Sequence, residues 1–367
     1  MKFVKPLGLL CMAMAAMFSG CDPLVTQFEP VEDAVLYHAE RERPAPARDT
    51  LTVMTWNIRF AAGRDVSWFG DSCGDRVILT EAEVYQALAR LADCINSVKP
   101  DILLLQEIDV QSKRTAYINQ VTWLLNHCNF NHAAYAAMWQ AQNIPSDGLG
   151  RINVGSAILS RWELVDADRI QLPLRGDQDA LTRYFYLRRN ILKARIALPN
   201  NSHFYILNLH ADAFSTDDTK RKHIVRFKEE LDKLDGSGAV FVAGGDFNML
   251  PPDSDSTDFC LVDRCPGESF HHSGDDPFHK EGSNYAPEKT WLIDIYNRYV
   301  PDIPLAQFRV AQKRYFTHTM DPAAFWDRKV DYLFTNTRWV EASVVTHQNF
   351  LDASDHAPVS ARWEVVK

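Results

Sequence analysis

Short apolar runs recur along this chain, and several of them stop abruptly on one polar side chain. Leu51–Trp56, with its β-branched and aromatic residues, reads as a strand ending on Asn57. Ile102–Leu105 is continuously apolar, which predicts a strand covered on both faces, and Gln106 and Glu107 close it. The run beginning at Phe204 ends on His210. Val240–Ala243 leads through Gly244 and Gly245, read as a sharp turn, to Asp246 and Asn248. If the chain stays extended that far, those two side chains leave on one face. Gly155–Ser160, Ile191–Ile196, Lys329–Phe334 and Ser360–Val365 read as further strands, and another is expected near Tyr315–Thr319. Asp331 falls inside one of these apolar runs and needs a partner there.

Between the strands the period changes. Val84, Leu88, Leu91 and Ile95 recur at helical spacing and predict a helix from about Thr80 to Val98. Thr80 and Glu83 are placed as its capping box and Pro100 stops it. Further helices are expected at about 113–128, 219–234 and 291–299. Two segments break the pattern. Residues 168–190 hold Arg169, Arg175, Arg183, Arg188 and Arg189 beside Tyr184, Phe185 and Tyr186. They suit a phosphate or head-group clamp, although a solvated surface insertion is the simpler expectation. Residues 251–289 read as a second insertion, because His271, His272 and His279 match no metal-ligand spacing on one element.

The N-terminus has a different character. Lys2 and Lys5 precede an apolar run from Leu7 to Phe18, too short to span a bilayer, which predicts a signal peptide over 1–20. Phe18-Ser19-Gly20-Cys21 resembles a bacterial lipobox, with Phe18 where an aliphatic residue is usual. An acylated Cys21 and a Pro-containing tether over 21–49 are therefore expected, placing a folded body of 50–367 on the cell envelope. An ordinary secretory signal is the alternative. At 46% hydrophobic and 24% charged residues, the chain as a whole has a globular composition. Removing residues 1–20 takes away Lys2 and Lys5, so the net charge of −9 becomes −11. That balance argues mildly against holding nucleic acid by its backbone. After Cys21 five cysteines remain, and Cys260 with Cys265 is the favoured disulfide in an exported chain.

The polar strand ends carry the candidate chemistry: Asn57, Glu107, His210, Asp246 with Asn248, and Asp355 with His356, together with Asp331. Taken singly, each of these also suits a plain turn or a solvated strand end. Together, carboxylates and amides select Mg²⁺ or Mn²⁺ over Zn²⁺. The histidines remain for acid/base work or for donating to an oxyanion. No helical zinc motif, nucleophile elbow or Gly-rich phosphate loop occurs.

In this order the motifs resemble the endonuclease/exonuclease/phosphatase superfamily, which includes DNase I, exonuclease III and bacterial sphingomyelinases. The matching pieces are Thr55-Trp56-Asn57, Leu105-Gln106-Glu107, Gly155–Ser160, Asn208-Leu209-His210, Gly244–Asn248, Val330–Phe334 and Ser354–Val359. The resemblance implies a four-layer α/β/β/α sandwich of two mixed β-sheets with the site at one rim. It further implies that Glu107, with Asn57 and Asp355, holds Mg²⁺, or Mn²⁺ in its place. Asp246 would orient or deprotonate the attacking water and Asn248 would contact the phosphate. His356, aligned by Asp331, would act as acid/base, and His210 would donate to a phosphate oxygen. Abasic-site nucleases of the family carry a tyrosine and an asparagine where this chain has Leu207 and His210. The reading is a monomeric, lipid-anchored, Mg²⁺-dependent phosphoesterase. A secreted nuclease and an inactive envelope binding module are the alternatives.

Overall fold

Alternation between polar and apolar faces is resolved in the computed structural model by stacking two seven-stranded sheets. The structure describes residues 24–68, 74–199, 201–264 and 282–366. In chain order, β1 is Val31–Asp33, β2 Val35–His38, β3 Thr50–Asn57 and β4 Ile102–Asp109, with helix α1, Glu81–Val98, between the last two. Helix α2, Gln120–His127, precedes β5, His132–Ile144, then β6, Gly150–Ser160, and β7, Leu164–Gln171. The short helix α3, Ala180–Phe185, leads to β8, Asn190–Leu198, and β9, Asn201–His210. Helix α4, Thr219–Gly236, carries the chain to β10, Val240–Asp246. The last strands are β11, Val300–Pro301, β12, Asp331–Thr335, β13, Val345–Thr346, and β14, Val359–Glu364.

One sheet runs β1-β7-β8-β9-β10-β12-β11 and the other β13-β14-β3-β4-β6-β5-β2. Both are mixed: β3 with β4 and β9 with β10 are parallel, and the other pairs are antiparallel. Val53, Leu104 and Ile158 of one sheet meet Ala194, Ile206, Val242 and Leu333 of the other in the central core. Outside, α1 and α2 place Leu88, Leu91, Ile95 and Leu124 on Trp56, Leu103 and Leu105. On the opposite side α4 lays Ile224, Phe227 and Leu231 over Leu207, Leu209 and Phe241. This is the four-layer sandwich.

Helix α1 forms with its capping box intact: Glu83 N–H donates to Thr80 Oγ1, and Thr80 N–H donates to the Glu83 carboxylate. Lys99, in the left-handed region, ends it just before Pro100. Other expectations change. The helix expected over 113–128 begins only at Gln120, because Asn119 caps it by accepting the Thr122 N–H. Lys113–Thr115 is a separate 3₁₀ turn. Tyr315 closes another such turn over Gln312–Tyr315, so no strand forms at 315–319. The insertion expected over 168–190 is narrower: residues 173–187 lie outside the sheets with no buried side chain, but both flanks belong to the body. Asp168–Gln171 belongs to β7, and Arg169 is buried with its guanidinium on the carbonyls of Ala137 and Arg188.

The expected tether over 21–49 is also corrected. From Leu24 onward the chain is tied to the body: β1 pairs with β7 at the edge of one sheet and β2 with β5 at the edge of the other. Val25 bridges to Ala141 and is fully buried. Backbone pairing at two open edges outweighs a polar, proline-containing composition. Cys21, Cys265 and His271, His272 and His279 lie outside the described residues. Cys94 and Cys128 carry free thiols. Among the described residues no helix is long and apolar enough to cross a membrane.

Candidate active site

Strand register assembles the site. In β9, β10 and β12 the Cα partners are His210 with Asp246 and Asp246 with Asp331, so three chemistry-bearing residues stand side by side on adjacent strands. In the facing sheet Asn57 pairs with Gln106. The register between β4 and β6 then shifts between Leu105 and Ile108, and Glu107 sits in that bulge at φ 54°. A bulge re-aims one side chain, here the Glu107 carboxylate, into the cleft. Gly244 and Gly245 do not form the expected turn but lie within β10. Gly245 has φ 133°, and a Cβ there would collide with the Leu209 carbonyl oxygen. Glycine lets β10 close on β9 with Asp246 in line.

A buried polar bridge, invisible to the sequence reading, fixes the two sheets relative to each other. Gln106 Nε2 donates to Asn208 Oδ1 at 2.7 Å, and Asn208 Nδ2 donates to the carbonyls of Leu105 at 2.8 Å and Ala157 at 3.0 Å. The one available signal was a Gln and an Asn inside otherwise apolar runs.

Around Asp246 the contacts are dense. Asn57 Nδ2 donates to its Oδ2 at 3.0 Å, and the Asn248 backbone N–H donates to its Oδ1 at 2.9 Å. His210 Nε2 lies 3.4 Å and His356 Nε2 3.8 Å from Oδ2. His356 Nδ1 donates to Asp331 Oδ2 at 2.8 Å, which supplies the partner that buried carboxylate required. Asp355 and His356, adjacent in sequence, both reach the cleft because the chain turns there, with Ser354 Oγ donating to the Asn57 carbonyl at 2.7 Å. His318, not singled out from sequence, packs on His356 at 4.3 Å between centroids with the rings tilted by 34°.

Electrostatics separates the groups. Burial opposes the charged form of His356, but the Asp331 and Asp246 carboxylates outweigh it and hold the ring protonated well above its usual range. His210 goes the other way: burial, then the nearby Arg189 charge, keeps it neutral. Burial pushes Asp246 up to about 6, with Asp331 adding to the rise and His356 opposing it. Burial and then Asp355 push Glu107 up to about 7. Crowded carboxylates with raised affinity for a positive charge are what a divalent cation relieves. Two other groups bring their ligand atoms within 4.8 Å: His318, Asp355 and His356, and Asp246, Asp331 and His356. Both would draw on His356, whose Nδ1 already holds Asp331. Glu107 and Asp355 offer hard oxygen donors without breaking that bond.

The cleft above these residues has a volume of about 790 Å³. Of the five arginines in 168–190, Arg189 alone lines it. Arg189 is 5% exposed, its guanidinium touches Met138 Sδ at 3.3 Å, and it forms no ion pair among the described residues. Arg114, also in the lining, is already bound bidentately by Asp109.

The model of the Endonuclease/Exonuclease/phosphatase family matches residues 54–356. The chain belongs to that family. Endonuclease/exonuclease/phosphatase proteins are hydrolases of phosphoester bonds and depend in general on a divalent metal. Many solved structures share the fold, and three illustrate the likeness. The Bacteroides vulgatus endonuclease/exonuclease/phosphatase is 14% identical, with TM-score 0.52 over 87% of this chain and all of that one. The Beutenbergia cavernae endonuclease/exonuclease/phosphatase is 18% identical, with TM-score 0.51 over 87% of this chain and 72% of that one. A functionally unknown Enterococcus faecalis protein is 16% identical, with TM-score 0.51 over 86% and 100%. No protein of curated function matches the sequence. Carboxylate oxygens beside histidine nitrogens at the cleft floor suit the divalent metal on which the family in general depends.

Proposed function

We propose that this family member is a Mg²⁺-dependent phosphoesterase, with Mn²⁺ as a substitute. It hydrolyses a phosphodiester or phosphomonoester by in-line attack of water, at the cell envelope through an acylated Cys21. The observation that carries the chemistry is the Asp331–His356–Asp246 alignment at 2.8 Å and 3.8 Å beside Glu107. Asp246, held by Asn57 and Asn248, orients the water and accepts its proton. Asp331 occupies one proton of the His356 imidazolium, which leaves Nε2–H to donate to the phosphoryl or leaving oxygen. His210 stays neutral and offers an N–H without adding charge, and Arg189 pairs with a phosphate oxygen. Glu107 and Asp355, with the Asn57 side chain nearby, would hold Mg²⁺, which when bound neutralises charge on the phosphoryl group.

A nuclease reading has less support. Arg59 lies 3.8 Å from Asp355 and Arg114 is bound by Asp109, so Arg189 remains where a nucleic-acid groove needs a basic stripe. The test is a panel of phosphomonoesters, phosphodiesters and oligonucleotides, each with Mg²⁺ and with EDTA. Hydrolysis of small esters that EDTA abolishes is expected. Activity indifferent to EDTA, or confined to oligonucleotides, refutes the reading. Partition of the wild type with membranes, lost in Cys21→Ser, tests the anchor.

A further inference from the structure

Away from His356 the cleft changes character. Met138, Trp139, Ile144, Leu149 and Phe185 form its wall, and these side chains all belong to or pack on one small apolar cluster that Val25 completes. At the mouth, Leu181 is 70% and Phe214 59% exposed. A phosphoryl group alone has no use for such a wall, and exposed apolar side chains at the lip of a cleft mark a surface that something covers.

The N-terminal chain enters the fold at this same wall. Thr26 N–H donates to the Gln140 carbonyl at 2.8 Å and Gln142 N–H to the Leu24 carbonyl at 3.0 Å. Arg188 donates to Gln27 Oε1 at 2.7 Å, next to Arg189 in the cleft. Leu24 is thereby pinned beside the apolar wall. Cys21 lies three residues upstream, at most about 11 Å of extended chain. A free tether reaching to residue 49 would instead let the cleft wander by roughly 30 Å.

We infer that the substrates are phosphoesters of membrane amphiphiles. Docked Leu24–Gln27 acts as an orienting strap that holds the apolar lip of the cleft against the bilayer carrying the anchor. The inference rests on the phosphoesterase and anchor readings above. The phosphate reaches Arg189 and His356 while the apolar part of the molecule stays on the Trp139 and Phe185 wall and the lip residues cover it. The net negative charge gives no attraction to an anionic leaflet, so orientation falls to the strap rather than to a basic patch.

Full-length acylated protein would be reconstituted into phosphatidylcholine vesicles containing phosphatidic acid, which present a phosphodiester and a phosphomonoester. Monomeric dibutyryl forms of the same two lipids serve as soluble counterparts. One of the vesicle lipids should be hydrolysed at least ~10-fold faster than its dibutyryl form. Inserting about 20 Gly/Ser residues between Asp22 and Pro23 should cut the vesicle rate by roughly 5-fold or more and leave the dibutyryl rate unchanged. The dibutyryl rate is thus also the control for folding. A vesicle rate unaffected by the insertion overturns the strap. Hydrolysis confined to soluble esters overturns the inference and leaves the phosphoesterase standing. No hydrolysis of any phosphoester refutes both.

Discussion

His356 is where the residue scale decides most. Its ring is buried, and only the Asp331 and Asp246 carboxylates make the charged form favourable there. Asp331→Asn removes the larger of those two supports, and His356→Ala removes the proton itself. Each should lower kcat by roughly 10²-fold or more in the Mg²⁺-dependent assay. The double variant should be little worse than either single one, because members of one unit fail together. A double loss equal to the product of the two single losses would show that they act separately. Arg189 presents a different case: a buried cation facing the cleft without an ion-pair partner among the described residues. Arg189→Met keeps the volume and deletes the charge. A charge-assisted hydrogen bond is worth about 1.5–3 kcal/mol, so kcat/KM should fall by roughly 10- to 100-fold. Circular dichroism should show the fold unchanged, and Arg189→Lys should recover only part of the loss, since a point charge cannot reproduce the fork. An unchanged kcat/KM would remove Arg189 from phosphate binding.

At the scale of elements, the strands that end on polar residues were legible because a period-two or continuous apolar run is a strong local signal. What escaped were elements held by partners distant in sequence. Strand β5 contains Ala133, Ala134, Ala136, Ala137 and Ala141, a composition with low strand preference, and it forms because β6 and β2 pair on both sides. Strands β1 and β2 are short edge strands whose only reason to exist is the open sheet edge beside them. The site was legible as a list of strand ends but not as a geometry. Which end faces which follows from register; the Glu107 bulge has no local signature, and two amides inside apolar runs do not say that Gln106 and Asn208 meet across the sheets. Strand β10 offers the clearest test. Gly245→Ala places a methyl group against the Leu209 carbonyl at a φ that L side chains rarely adopt. Stability in urea should fall by about 2 kcal/mol or more. Activity should fall further than stability alone explains, because Asp246 is the next residue. A variant as stable and as active as wild type would show that β10 has room to shift.

Across the whole molecule, two sets of groups respond to pH in opposite directions. His223 accepts the Asp212 N–H on Nδ1, faces the Pro173 carbonyl through Nε2, and is pushed down to about 4 by burial. The unfolded chain protonates this histidine near 6.5, so its contribution is present above that pH and is lost as pH falls toward about 4. Glu107, raised to about 7, behaves inversely. Its folded form holds a proton that the unfolded chain releases near 4.5, so stability present below 4.5 is lost as pH rises to about 7. For Glu107 alone the loss is on the order of 3 kcal/mol at most, and Asp246, raised to about 6, adds to it in the same sense. A cation at Glu107 and Asp355 would cancel the second effect and leave the first untouched. The gain in Tm on adding Mg²⁺ should therefore be small at pH 5 and several degrees at pH 8, and Glu107→Gln should abolish most of the difference. This readout needs no substrate. An equal Mg²⁺ gain at both pH values, or a gain that survives Glu107→Gln, would place the metal elsewhere in the cleft and return Glu107 to a purely structural role.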